Sequence, residues 1–462
     1  MNNLGITVIG AGLAGCELAL QLAARSFKVR LIDQKPVQRN PAQNSESLCE
    51  LVCSNSFRGA SLTNAVGLIK EEMRILGSYV MRAAQAARVP AGGALAVDRD
   101  LFSNTMTMWV KDHPNIESIS QHVEALPQER PLVVATGPLT GEAFAADLQR
   151  NLGKDSIAYY DAISPIISAD SINWERVFLA SRWDKGENDQ DRRAYVNCPL
   201  ARDEYYQLIS DIRCAEKVPP REFEDPKYFE GCLPIEVMVD RGERTLAFGP
   251  LKPVGLVNPR TSKRPYAVVQ LRAENASATA YNIVGFQTRM VQRDQLRIIQ
   301  SIPGLEQAHI ERYGSVHRNT FIDSPNVLDT TLRCKVDPDL WFAGQITGVE
   351  GYVESSACGL IAALLIDDVY NNRTPNLPPD TTALGSLIRY LSVPRRDFQP
   401  TNVTFALFPP LESSSSRRKR AERSEAMAAR AIDALQIWWN QRANFPSAGA
   451  SIQGYPDEVL GS

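Results

Sequence analysis

The chain opens on an apolar run, Ile6-Thr7-Val8-Ile9, which predicts a short buried strand. Gly10 to Gly15 interrupts it. Glu17-Leu18-Ala19-Leu20-Gln21-Leu22-Ala23-Ala24 then supplies helix formers, and Val29-Arg30-Leu31-Ile32-Asp33 reads as a second strand closed by an acid. Strand, loop, helix and strand in this order make a βαβ opening. Residues 37–60 are polar and without period. Amphipathic spacing returns from Thr63 to about Ala87, where LIKEEMRIL predicts one long helix. Pro90 to Phe102 is a Gly-rich turn entering another helix. Two later apolar runs end in glycine: Pro131–Ala135 before Thr136-Gly137, and Leu340–Ala343 before Gly344-Gln345. The second continues through Gly348 and Gly351 into a helix of small residues, Glu354 to Asp367. Between about 160 and 320 the chain is richer in Trp, Tyr and Pro, with strand-like runs at 267–271 and 281–285. The pattern predicts an α/β Rossmann-like protein with a discontinuous nucleotide domain, 1–160 and 325–440. A mixed α/β insertion is expected at 161–324 and a flexible tail at 441–462.

The 462 residues are enough for two domains, and 44% hydrophobic with 22% charged residues is ordinary for a globular chain. A formal charge of -3 excludes a uniformly basic nucleic-acid binder, although a local basic face remains open. The start lacks a basic, apolar export pattern and no run of about 18 apolar residues occurs, so a cytoplasmic protein without a membrane span is expected. Eight dispersed cysteines fit free thiols better than a disulfide framework. Cys49 and Cys53 have no partner pair at zinc spacing, so no metal is expected.

Gly10, Gly12 and Gly15, with Ala11, Leu13 and Ala14 between and around them, have the spacing of a dinucleotide loop. The first glycine permits the turn, the second lets pyrophosphate approach, and the third lets helix and strand pack. Phosphate would meet free N–H groups at a helix start. Asp33 stands where an acid can bind ribose hydroxyls. The strings around Gly137 and around Gly344-Gln345 resemble the accessory motifs of FAD-dependent two-dinucleotide-fold proteins, with Gly351 and Tyr352 at the helix that would point toward the flavin ring. No second Gly-x-Gly-x-x-Gly follows, so NAD(P)H is expected to bind transiently. Two thiols stand in specific polar strings, ELVCSNSFR around Cys53 and EGCLPIEV around Cys232. A thiol can add to a carbon–carbon double bond near neutral pH, where a hydroxyl cannot.

LVCSNSFRGASLTNAVGLIKEEMR, VPAGGALAVDRDLF, YFEGCLPIEVM, FGPLKPVGL, VHRNTFIDSP, LWFAGQITGVEGYVESSACGLIAA and NVTFALFPPL, in this order over roughly residues 4–440, resemble the TrmFO family. That resemblance implies a folate- and FAD-dependent tRNA (uracil-5-)-methyltransferase, related to the MnmG flavoproteins. It implies methylation of the T-loop uridine (position 54) at C5, with 5,10-methylenetetrahydrofolate as carbon donor and FAD reduced by NAD(P)H as reductant. By the same resemblance Cys232 adds to uracil C6, Cys53 assists as acid/base or shields the flavin adduct, and His317 stacks on the folate. Cys49, Phe57 and Val316 stand where Ala, Leu and Met are common, and none removes a motif.

For RNA, Arg417, Arg418, Lys419 and Arg420 form the dense basic run behind a serine linker, with phosphate contact or a solvated helix face as its two readings. Arg58, Lys70, Lys252 and Arg289 are further candidates. Cys16, Cys214, Cys334 and Cys358 read as small core residues, and Cys198 is left open. The alternatives are the same chemistry on a ribosomal RNA uridine, an MnmG-like wobble-uridine modifier, and an RNA-binding folding factor with a structural flavin. The short stretch after Gly351 disfavours the second and the two motif-embedded thiols disfavour the third.

Overall fold

The computed structural model describes residues 5–40, 42–152, 157–162, 164–186, 188–218, 233–395, 398–411 and 420–443. Its first sheet has six strands in the order Arg333–Cys334, Asp337–Phe342, Leu132–Val134, Gly5–Ile9, Lys28–Asp33, Ile116–Ser120. All neighbours pair in parallel except the Arg333–Cys334 edge. Parallel strands are buried on both faces, which accounts for the unbroken apolar runs at 6–9 and 132–134. The helix Leu13–Ala24 follows the first strand, and the long helix Tyr352–Tyr370 lies along it. Both are buried on nearly every face, with apolar side chains predominating and buried polar groups such as Glu17 and Glu354 held by partners. Their approach depends on Gly359, where a Cβ would sit 2.3 Å from the Ala14 carbonyl oxygen.

The single helix expected over 63–87 is two, Ala65–Ile75 and Tyr79–Ala86. Gly77, with φ 75°, ends the first, and the Ser78 hydroxyl caps the second by accepting from the Met81 amide. Buried Glu17 fixes the break. Its carboxylate accepts from the Ser78 hydroxyl at 2.9 Å and from the Tyr79 and Val80 amides at 3.2 and 2.7 Å.

A second six-stranded sheet, antiparallel throughout, runs Phe178–Leu179, Tyr195–Leu200, Ala267–Ala273, Ala280–Ile283, Ile166–Ser168, Ile310–Arg312. It has its own core, built with the helices Arg202–Cys214 and Gln292–Gln300. A two-stranded ribbon, Ile157–Ala162 against Val316–Phe321, accompanies both chain crossings between the halves. The helix Arg420–Ala443 returns to the first core through Met427, Leu435 and Trp438. Of the expected flexible tail, 441–443 end this helix and the remainder lies outside the described residues. Among the described residues no helix is long and apolar enough to cross a membrane.

Candidate active site

The first strand delivers the glycine loop into an open cleft. Gly10 has φ 101°, and a Cβ there would lie 2.5 Å from the Ala135 carbonyl oxygen. A Cβ on Gly15 would lie 1.9 Å from the Gly10 oxygen, whereas one on Gly12 would meet nothing within 4 Å. Two glycines are therefore spent on close packing and the middle one on open space facing the cleft, as a bound pyrophosphate requires. Asp33 lines the same cleft. Its carboxylate accepts from the Ala11 and Lys35 amides, each at 2.9 Å, which ties the loop to the end of the second strand. Ala11, Leu13, Ala14, Gly137, Gln345 and Tyr352 also line the cleft. Gly15, Gly344 and Gly351 shape it from behind: a Cβ on Gly344 would stand 2.5 Å from Ala14 Cβ, and one on Gly351 would stand 2.7 Å from Glu354 Oε2. Gln345 is held by two 2.8 Å bonds to the Glu350 carboxylate. The donor set and the open space at Gly12 fit a dinucleotide such as FAD.

Cys53 is half-buried beside this cleft, next to its lining residues Val52 and Tyr352. The thiol segment is clamped from several directions. The Tyr352 hydroxyl accepts from the Cys53 amide at 2.8 Å and the Ser54 amide at 3.1 Å. Burial, with the Cys53 charge adding to it, pushes the Tyr352 phenol well above its ordinary pKa, so the hydroxyl stays protonated. From the antiparallel half, Arg272 donates to Ser54 Oγ at 2.8 Å and to Asn55 Oδ1 at 2.9 Å. Asn55 Nδ2 donates in turn to the Val97 and Ala273 carbonyls. Arg99 donates to the Leu51 carbonyl and pairs with Glu274. Burial opposes the Arg99 charge, but the facing carboxylate, phenol and thiol outweigh it and raise its pKa. Arg312 donates to the Ala42 carbonyl at 3.0 Å and faces Arg99, Tyr352, Glu50 and Cys53. The backbone is strained on both sides of the thiol, with Cys49 at φ 53° and Arg58 at φ 64°. Such outliers persist where the surroundings hold them. Here Arg58 is locked to buried Glu354, which also accepts from the Val403 amide. Lys70 donates to the Phe57, Arg58 and Gly59 carbonyls at 3.0, 3.1 and 2.7 Å.

The expected nucleophile Cys232 lies outside the described residues, as do Arg417, Arg418 and Lys419. Arg420 starts the final helix. His317 sits in the ribbon opposite Asp161, and the same ribbon joins the Gly137 motif through the Thr320 amide and the Pro138 carbonyl. Three of the further RNA candidates are committed elsewhere: Arg58 to Glu354, Lys70 to three carbonyls, and Arg289, 3.7 Å from Glu236. Lys252 is exposed. Cys16, Cys198, Cys334 and Cys358 are buried, whereas Cys214, expected inside, is exposed at the end of its helix. Sequence reasoning missed Arg99, Arg272, Glu274 and Arg312. The strings that hold them carry no spacing signal, because their partners are distant in the chain.

The family model for glucose inhibited division protein A matches residues 5–374. Curated relatives named methylenetetrahydrofolate--tRNA-(uracil-5-)-methyltransferase TrmFO include one from Geobacter sulfurreducens, 51% identical over 94% of this chain and 98% of its own length. Another, from Bacillus cereus, is 50% identical over 94% and 99%. Among solved structures, Aquifex aeolicus GidA superposes with a TM-score of 0.67 at 16% identity, covering 94% of this chain and 73% of that one. The last match shows the shared fold.

Proposed function

The chain belongs to the TrmFO family, within the wider GidA-related group, and we propose that it methylates C5 of the T-loop uridine of tRNA. The observation that carries this reading is the rigid presentation of Cys53 at the rim of a dinucleotide cleft, within strings shared with the family.

The net reaction replaces the uracil C5 proton with a methyl group. The methylene of 5,10-methylenetetrahydrofolate is one hydride short of a methyl, so NAD(P)H is oxidised as the methyl forms and tetrahydrofolate leaves. FAD, held by Gly10–Gly15, Asp33, Gly137, Gly344, Gln345, Gly351 and Tyr352, supplies that two-electron reduction when bound. Uracil C5 is a weak nucleophile. The Cys232 thiolate adds to C6 and gives C5 enolate character, C5 bonds to the folate methylene carbon, and Cys53 assists as acid/base on the C5 proton or shields the flavin. Loss of the C5 proton expels tetrahydrofolate from the new one-carbon group, hydride then converts the exocyclic methylene to methyl, and that transfer expels the thiol from C6 and restores the ring. The uridine reaches the thiols by leaving its stack. His317 lies on the ribbon that borders the Gly137 lip, a place suited to holding the folate. Arg417, Arg418, Lys419 and Arg420 contribute phosphate contacts.

A tRNA bearing 5-fluorouridine tests the thiol roles, because fluorine at C5 cannot leave as a proton and the C6 adduct persists. A covalent protein–RNA product mapped to Cys232, lost in Cys232→Ala and formed in Cys53→Ala, is expected. An adduct on Cys53 would reverse the two assignments.

A further inference from the structure

One face of the antiparallel half carries large apolar side chains in water beside unpaired cations. Trp183 is 66% exposed, Phe248 71% and Val257 59%. Lone exposed apolar residues need no explanation, but Trp183 is unusual in its backbone. It has φ 61° and ψ 29°, and Asp184 follows at φ 49°. Bulky residues occupy this left-handed region only when their surroundings hold them there. The hold is Gly255. The Trp183 amide donates to its carbonyl at 3.0 Å, and a Cβ on Gly255 would lie 2.9 Å from Cδ1, Cδ2 and Cε2 of the indole at once. One face of the ring therefore lies flat on a glycine and the rest of the side chain stands in solvent.

The cations are arranged around the same segment. Arg182 donates to the Lys252 and Pro250 carbonyls and so joins the Trp183 loop to residues 248–256. Arg244 stacks on Phe248, 4.9 Å from the ring centre. After Val257 a tight turn closes between Asn258 and Lys263, with the Asn258 amide on the Lys263 carbonyl at 3.0 Å, and it displays Lys263 and Arg264. Among the described residues no carboxylate lies within ion-pair reach of Arg182, Lys185, Arg244, Lys252, Lys263 or Arg264. Asp184 is the acid that shares the Trp183 loop. An aromatic ring held with one face open beside unpaired cations is the feature by which proteins take unpaired bases and their phosphates.

We propose that this face, centred on Trp183 with Phe248, Lys252, Lys263 and Arg264, is an RNA-docking surface. It stacks an unpaired base of the tRNA on Trp183 and neutralises the neighbouring phosphates. The proposal rests on tRNA being the substrate. It adds a contact surface in the antiparallel half, built from residues other than the basic run at 417–420. The string Phe248–Leu256, which the reaction itself does not use, gains a role as the seat of the indole.

The test uses the full chain with its flavin and an unmodified tRNA transcript, with filter binding at about 50 and about 200 mM salt. Trp183→Ala is expected to weaken binding about tenfold, with Trp183→Phe keeping most of the affinity. The triple variant Lys252→Ala, Lys263→Ala, Arg264→Ala is expected to reduce the slope of log K against log salt by about 3, near 1 per phosphate contact. Flavin content equal to wild type in each variant excludes misfolding. Unchanged affinity in Trp183→Ala, or an unchanged salt slope in the triple variant, would overturn the surface. A wild-type protein that binds no tRNA would instead contradict the functional reading beneath it.

Discussion

Replacing Tyr352 with Phe removes one oxygen and keeps the ring, whose centre packs 5.8 Å from that of Phe57. That oxygen accepts from two backbone donors, the Cys53 and Ser54 amides at 2.8 and 3.1 Å. A buried donor that loses its acceptor costs about 1–3 kcal/mol. Both amides are partly buried beside an open cleft, so water recovers some of the loss. A net cost of about 1.5–3 kcal/mol for holding the segment closed is a reasonable sum. At about 1.4 kcal/mol per tenfold, local opening becomes roughly 10- to 100-fold more frequent. Hydrogen exchange followed by mass spectrometry on peptides spanning residues 50–58 measures this directly. The Tyr352→Phe protein is expected to exchange the Cys53 and Ser54 amides faster by that factor. Peptides from the parallel sheet should not change. Methyl transfer per bound flavin should fall. Unchanged exchange at these two amides would refute the clamp and the argument that the hydroxyl presents the thiol.

Other substitutions test separate parts of the account. Gly15→Ala places a Cβ 1.9 Å from the Gly10 oxygen and should abolish flavin binding; visible absorbance at full occupancy would contradict this. Arg99→Met leaves the nearly buried Glu274 carboxyl without its partner. A loss of about 3–5 kcal/mol in urea unfolding is expected, and a loss below about 1 kcal/mol would contradict the pairing. Burial and the Arg58 charge push the Lys70 ammonium from 10.5 down to about 7. Between those values the unfolded chain holds a proton that the folded chain lacks, so this group makes stability rise from about pH 7 to about 10.5 and adds no further pH dependence below about 7, where both states are protonated. Lys70→Met should flatten that rise in urea midpoints measured from pH 7 to 10, and an unaltered slope would contradict it.

The nucleotide half was largely legible in the sequence because its demands are local. Gly10, Gly12 and Gly15 are set by the turn they make, and Asp33 by the strand it ends. The break at Gly77-Ser78 was written in the chain as a glycine followed by a capping serine, but the apolar period on either side masked it. Lys70 shows the limit of reading charge as exposure: it lies on the buried side of an amphipathic helix, where its ammonium meets carbonyls of the thiol segment. The clamp on Cys53 was not legible at all. Tyr352 is 299 positions away and Arg272 is 218 from Ser54, and no local pattern encodes such partners. The Trp183 platform was hidden for the same reason, since its strain and its seat on Gly255 exist only in three dimensions.

The central claim is a methyl group drawn from folate and placed on a tRNA uridine through a thiol. Its most direct test is an unmodified tRNA transcript incubated with the protein, FAD, NADH and methylenetetrahydrofolate labelled on its one-carbon unit. Cys232→Ala serves as control, and nucleosides and fragments are read by mass spectrometry. The account predicts labelled 5-methyluridine at the T-loop position, absent with Cys232→Ala. Label confined to another uridine, or full labelling by the Cys232→Ala protein, would contradict it.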